Sequence, residues 1–169
     1  MHRRAAIALA LLLLLAAGCA RPKPAPPPGV PAPLRVGIAD NYPPLAFVEN
    51  GRLTGIEVDF AAALQQELGV PVEIVQTPFD SLIPDLLERR IDVIMSGLSV
   101  TPARAAQVRF SQSYLDVGQM LAIRKDAAGT LSAPNALVEG EWRVAVIADT
   151  TGAAWAEGNL PRAIVVPYT

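Results

Sequence analysis

Residues 91–104 read Ile91-Asp-Val-Ile-Met-Ser-Gly-Leu-Ser-Val-Thr-Pro-Ala-Arg104. Ile91, Val93, Ile94 and Met95 make a short, mainly β-branched apolar run, which fits a strand buried on both faces. Ser96, Gly97 and Ser99 follow, small enough to let a ligand approach the backbone. Thr101 has the chemistry of an N-cap and Pro102 that of a first helical residue. Arg104 then falls in the first turn, where a cation opposes the helix dipole. An anion at this point would resolve the conflict. Backbone N–H groups, hydroxyls and a planar guanidinium would converge on it, and a carboxylate suits that fork best. An ordinary solvated arginine accounts for the same residues, because the dipole opposes it by only about 0.3–1 kcal/mol.

The residues before this stretch alternate strand and helix patterns. Leu34, Val36 and Ile38 predict a first strand. Asn41-Tyr-Pro-Pro-Leu45 reads as a loop set by its prolines, and Glu49-Asn-Gly-Arg52 as a turn. A helix is predicted over residues 56–68, with Phe60, Leu64 and Leu68 on its inner face. Gly69 suits its C′ position, and Pro71 stops any continuation. Val72, Ile74 and Val75 predict the next strand. Asp80 is expected to cap a helix running through Arg89, with Leu82, Ile83, Leu86 and Leu87 inward and Pro84 in the tolerant first turn. Such alternation implies an α/β lobe with a mostly parallel sheet and helices on both faces. Ligands on such sheets bind at the carboxyl ends of the strands, where the loops carrying Tyr42 and Ser96 to Ser99 lie. Further on, residues 127–140 read as a loop containing Pro134, and residues 142–148 as a strand. Asp149-Thr-Thr-Gly152 leads into a short helix, and Ile164, Val165 and Val166 begin one more strand.

Several of these residues are candidates for a binding site. Tyr42 and Phe79 each follow a strand and could sandwich a ligand side chain, apolar or cationic. Core packing is the plain alternative for both. Ser96, Ser99 and Thr101 offer hydroxyls or backbone N–H groups, a role compatible with helix capping. Thr150 and Thr151 open a helix whose N-terminus is a second anion-binding end.

The N-terminus reads as a targeting segment. His2, Arg3 and Arg4 are followed by an apolar run from Ala5 to Ala17, too short to cross the ~30 Å bilayer core comfortably. It ends in Leu15-Ala-Ala-Gly-Cys19, which looks like a bacterial lipobox, with Ala16 where leucine is more usual. Cys19 is then the lipidation site, with an uncleaved signal anchor as the alternative. Residues 20–33 hold seven of the sixteen prolines and should form an extended polyproline tether that holds a domain away from a membrane. A proline-motif ligand is a second reading of that stretch.

Composition narrows the function. Half of the 169 residues are hydrophobic and 18% are charged, enough apolar content for a packed core. Loss of Arg3 and Arg4 with the leader would leave twelve basic against sixteen acidic residues and a net charge of −4. No basic patch stands out, so nucleic acid is not an expected partner. His2 is the only histidine and Cys19 the only cysteine. A cleaved chain would lack Ser-His-Asp and Cys-His catalysis, most zinc sites and any intrachain disulfide. No cofactor and no metal is called for.

The chain resembles the bacterial extracellular solute-binding proteins of family 3, which deliver polar amino acids to ABC importers. The matching residues are Leu34-Arg-Val-Gly37, Asn41-Tyr-Pro-Pro44, Gly51-Arg-Leu-Thr-Gly-Ile-Glu-Val-Asp59, Phe79-Asp-Ser-Leu-Ile-Pro84, Ile91 to Arg104, Gly118-Gln-Met-Leu121 and Thr150-Thr151. They keep the family's order from Leu34 to about Val166. The resemblance implies a two-lobed fold of the periplasmic-binding-protein type II. The first lobe, residues 34–116, would be nearly complete. Residues 117–169 would form a crossing segment and a partial second lobe, with the crossing running through Tyr114 to Lys125. It also implies that Arg104 binds a ligand α-carboxylate and that the backbone at Gly97 contacts ligand. Asp149 stands where the family usually has glycine. It would strain the turn, repel a carboxylate or hold a ligand ammonium. Leu45-Ala46 stands where relatives often have Phe-Glu, and no residue aligns with the family's usual α-amino acceptor.

The expected function is the substrate-binding lipoprotein of an amino-acid ABC transporter, in the cell envelope outside the cytoplasm. It would perform no chemistry; its partners would be a small amino-acid ligand, a membrane permease and, through the lipid, a membrane. An enzyme of the same fold, similar to cyclohexadienyl or arogenate dehydratases, is the alternative. Glu49, Glu57 and Asp149 are the acids such an enzyme would have. A sensor module is a third reading, disfavoured by the lipid anchor. The final run, residues 164–166, has no helix after it, so truncation is expected. Tight binding would then be absent, and any affinity would come weakly from the first lobe.

Overall fold

The computed structural model describes residues 25–131 and 134–168. The leader, Cys19 and the first part of the tether lie outside the described residues. The first sheet is parallel, in the order β5-β1-β6, with β1 at Leu34–Ile38, β5 at Val72–Gln76 and β6 at Val93–Ile94. Val36 pairs with Ile74 on one side and Val93 on the other, so β1 is the central strand. Its residues are apolar because both faces are covered. Leu34, Val36 and Ile38 face a helix, α1, at Ile56–Leu68, and join Ala61 and Val70 in one buried cluster. Ala39 continues the opposite face and packs with Leu82 and Ile91, under a second helix, α2, at Leu82–Leu87. Full burial of one such side chain as Ile38 stabilises the fold by about 1.5–3 kcal/mol. The chain leaves β1 for one neighbour and then reaches the other, so the carboxyl end of β1 is a topological switch point.

The α1 helix has the predicted bounds, and Gly69 ends it in the left-handed conformation at φ 68°, its amide bonding Gln65 O at 3.0 Å. Its inner face differs from the expected one. Phe60 is half-exposed, while Glu57 and Ala61 are buried, with Leu64 and Leu68 packed below. The expected cap at Asp80 also differs. Phe79–Ser81 is a 3₁₀ turn, and Asp80 Oδ1 accepts from the Ser81 hydroxyl at 3.1 Å rather than from backbone. The helix ends at Leu87, two residues early, with Arg89 left-handed at φ 60°.

Between β1 and α1 the prolines do not prevent strands. A small antiparallel meander joins β2 (Asn41–Tyr42), β3 (Ala46–Glu49) and β4 (Arg52–Thr54). Asn50 and Gly51, both at positive φ, make the tight turn between β3 and β4. At the opposite edge of the parallel sheet, Arg35 and Asp92 meet fork to fork. Nε and Nη2 of Arg35 donate to the two carboxylate oxygens at 2.9 and 2.7 Å. Those bonds hold the Asp92 carboxyl below its ordinary range.

Residues 109–124 carry no regular structure, and the apolar residues Tyr114, Val117 and Met120 within them are exposed. The expected loop over residues 127–140 instead contains a helix, α4, at Pro134–Glu139, because proline is well suited to a first helical position. A parallel pair, β7 (Arg143–Ile147) and β8 (Ile164–Tyr168), packs with the helix between them, Thr151–Asn159. We number that helix α5, leaving α3 for the short turn of helix Pro102–Ala105. The fold is thus mixed α/β, in two units.

Candidate ligand-binding site

The carboxyl ends of β1, β5 and β6 meet the start of the β7–α5 turn, and the candidate residues gather there. Met95 N bonds Gly37 O at 3.0 Å, which carries the β1–β6 ladder one residue past the strand. The next rung is a side chain: the buried Ser96 hydroxyl accepts the Ala39 amide at 3.0 Å. Ser96 therefore fixes the turn that follows. Gly97 then takes φ 58°, and a Cβ there would meet Leu45 Cδ1 at 2.6 Å and Tyr42 Cε1 at 3.2 Å. Glycine is required twice over, by the left-handed backbone and by the approach of the Tyr42 ring. Tyr42 itself is half-exposed beside the turn.

Thr101 caps α3 as its sequence suggested, with Oγ1 accepting the Arg104 amide at 3.2 Å and Pro102 at the first helical position. The cap aims Arg104 back over the turn. Nη1 donates to Ser99 O at 2.9 Å and Nη2 to Asp149 O at 2.7 Å. The guanidinium carbon lies 5.5 Å from the centroid of the half-buried Phe79 ring, a cation–π distance. Partial burial pushes the Arg104 guanidinium below its ordinary value, and the nearby Asp149 carboxylate pulls it partly back. Two of its five donors are engaged by main-chain carbonyls. The group is planar, partly dehydrated and stacked, which is the condition in which a carboxylate binds strongly.

Phe79 also lines a cleft of about 280 Å³ between the two units, formed with Asp40, Gln76, Asp80, Ile147 and Ala148. Asp40 is held by Gln76 Nε2 at 3.2 Å. The cleft therefore has two carboxylates and an aromatic ring, and the Arg104 guanidinium lies within cation–π distance of that same ring. From the second unit, Thr150 caps α5 through Ala153 N at 3.2 Å, and its hydroxyl donates to Ile147 O at 2.8 Å. Thr151 Oγ1 accepts from Gln119 Nε2 at 2.9 Å. Asp149 adopts φ 59° in the turn just before them.

The structure thus brings Tyr42, Phe79, Ser96, Gly97, Ser99, Thr101 and Arg104 to one sheet edge, with the turn before Thr150 and Thr151 opposite. Sequence reading passed over Asp40 and gave Asp80 only the role of a helix cap. Their signal was position: each directly follows the end of a strand or its loop at the binding edge. Glu57 stood out only as one acid among three. The structure buries it completely behind Gly97, where Oε1 accepts the Gly97 amide at 2.8 Å and the Tyr114 hydroxyl at 2.5 Å.

Comparison with known proteins gives the family. The family model of bacterial extracellular solute-binding proteins, family 3, matches residues 34–159. The L-arginine-binding protein of Pseudomonas aeruginosa is 33% identical over 129 residues, covering 76% of this chain and 49% of that protein. The L-cystine-binding protein TcyJ of Escherichia coli is 32% identical over 136 residues, or 80% of this chain and 50% of TcyJ. The chain spans about half the length of these curated relatives. Among solved structures, the ancestral amino acid-binding protein AncCDT-1, a precursor of cyclohexadienyl dehydratase, superposes with a TM-score of 0.76 at 38% identity. That match covers 81% of this chain and 61% of AncCDT-1. The match of the family model over residues 34–159 and the likeness to these relatives place the chain in the bacterial extracellular solute-binding proteins, family 3.

Proposed function

We propose that this protein is the binding component of an amino-acid ABC importer, anchored in the cell envelope through a lipid on Cys19. Its ligand is a cationic amino acid. Arg104 takes the α-carboxylate, and the cleft beside Phe79 takes the side chain, with Asp40 and Asp80 facing the cation. The observation that carries this reading is the Arg104 guanidinium, partly buried and stacked beside a cleft with two carboxylates. The name of the P. aeruginosa relative supports the ligand class. Ser96 and Gly97 shape the turn, Tyr42 and Phe79 flank the ligand, and Ser99, Thr101, Thr150 and Thr151 present polar groups around the carboxylate. The loaded protein docks on a permease, and no bond is made or broken.

Titration with L-arginine and with agmatine, its decarboxylated form, tests the reading. Arginine should saturate the site, and agmatine should bind at least about tenfold more weakly, since one paired charge is missing. Arg104→Ala should reproduce that loss for arginine, and Arg104→Lys should not restore it, because an ammonium lacks the planar fork. Equal binding of arginine and agmatine would overturn the carboxylate assignment. Turnover of a cyclohexadienyl substrate by the purified protein would favour the enzymatic alternative.

A further inference from the structure

The buried glutamate behind the site has no assigned role. Glu57 lies in the first turn of α1, on the face packed against the sheet, and is fully buried. Its two oxygens are used unequally. Oε1 accepts both the Gly97 amide at 2.8 Å and the Tyr114 hydroxyl at 2.5 Å. Oε2 is buried with no hydrogen-bond partner among the described residues. A leucine at this place would fill much of the same space without leaving a buried oxygen unsatisfied, so packing alone does not favour a carboxylate. What the carboxylate supplies is one acceptor atom shared by two distant segments: the turn after β6 and the irregular segment that leads to the second unit.

We propose that Glu57 is the positioning residue of the binding site. It holds the Gly97 amide, so that the turn carrying Ser96 to Ser99 keeps its left-handed bend under Tyr42. Through the Tyr114 hydroxyl it ties that turn to the segment between the two units. Tyr114 is placed for this from its other side as well. Its ring meets the half-exposed Phe60 of α1 edge-on, with centroids 5.7 Å apart at 78°. Partial burial and the adjoining carboxylate push the phenol well above its ordinary value, so the hydroxyl remains a donor. Glu57 touches no ligand in this arrangement; it acts through Gly97. The binding role of that turn rests on the function proposed above, but the hold on the Gly97 amide does not.

The test uses the ¹⁵N-labelled protein and three variants, Glu57→Leu, Glu57→Gln and Tyr114→Phe. Hydrogen exchange at the Gly97 amide is read without ligand, and L-arginine is then titrated. Glu57→Leu should speed Gly97 exchange about tenfold or more and weaken arginine binding by about fivefold, with a lower melting temperature because the Gly97 amide and the Tyr114 hydroxyl lose their acceptor. A purely structural glutamate would lower the melting temperature but leave Gly97 exchange and arginine binding unchanged. Glu57→Gln keeps an acceptor oxygen and should stay within about twofold of the parent in both readouts. Tyr114→Phe removes one hydroxyl and should speed Gly97 exchange about threefold; it decides the matter if Glu57→Leu does not fold. Gly97 exchange unchanged in the folded variants overturns the proposal. If those variants change Gly97 exchange while the parent protein ignores arginine, the positioning role stands and the ligand assignment falls.

Discussion

Replacing Asp149 should improve carboxylate binding, and two substitutions separate the reasons. Asp149 stands at φ 59°, where a side chain costs about 1–2 kcal/mol, less for aspartate and asparagine than for most residues. Its carboxylate also lies close enough to Arg104 to raise that guanidinium's pKa, and so competes with an incoming anion. Asp149→Asn removes the charge and keeps the tolerance for a left-handed turn. Because position 149 is exposed, the electrostatic gain should be about 0.2–1 kcal/mol, or up to about fivefold in arginine affinity. Added salt should shrink that gain. Asp149→Gly should give the same affinity and, in addition, relieve the backbone. The relief is offset by about 0.4–1 kcal/mol of extra chain entropy in the unfolded state, leaving a melting temperature about 2–4 °C above that of Asp149→Asn. Calorimetric titration at two salt concentrations and thermal unfolding measure both effects. Weaker arginine binding by Asp149→Asn would refute the repulsion argument and identify Asp149 as an acceptor for the ligand ammonium. A glycine variant that melts no higher than the asparagine variant would show that the turn is unstrained.

Three further outcomes are expected. Gly97→Ala should destabilise the fold by about 1–3 kcal/mol in chemical denaturation and abolish arginine binding, since the new methyl meets both Leu45 and Tyr42. Cys19→Ser should release the protein from membranes or leave the leader uncut, as read by fractionation and mass; a variant that behaves like the parent removes the lipid anchor from the model of function. The Asp92 carboxyl is held low by Arg35, so its contribution is present above the unfolded carboxylate range and is lost as pH falls below about 4. Asp92→Asn should therefore lower stability at pH 7 by about 1 kcal/mol or less, given the partial exposure of the pair, and the difference should fade on acidification.

Local chemistry made much of the first unit legible. The α1 helix could be placed from its apolar spacing and from Gly69 and Pro71, and α3 from Thr101 and Pro102, because each signal acts within one turn. The meander of β2, β3 and β4 was not, although Asn50-Gly51 is a strong hairpin signal. Prolines at 43 and 44 masked the short strands on either side. Helix spacing alone also chose Phe60 over Glu57 as the inward residue. An acid is buried there only because the Gly97 amide and Tyr114, some forty and fifty-seven positions away, provide donors for it. Asp40 and Asp80 needed the sheet order before they could be seen to share a cleft. Long-range partners of this kind leave no periodic mark in a sequence.

The bond from Arg104 to Asp149 O joins a side chain of the first unit to the main chain of the second. A carbonyl belongs to every residue type, so no substitution at 149 removes this acceptor. Sequence drift at that position can change charge and backbone strain while the tie between the units persists. Charge and backbone strain at 149 are therefore separable from the contact that joins the two units.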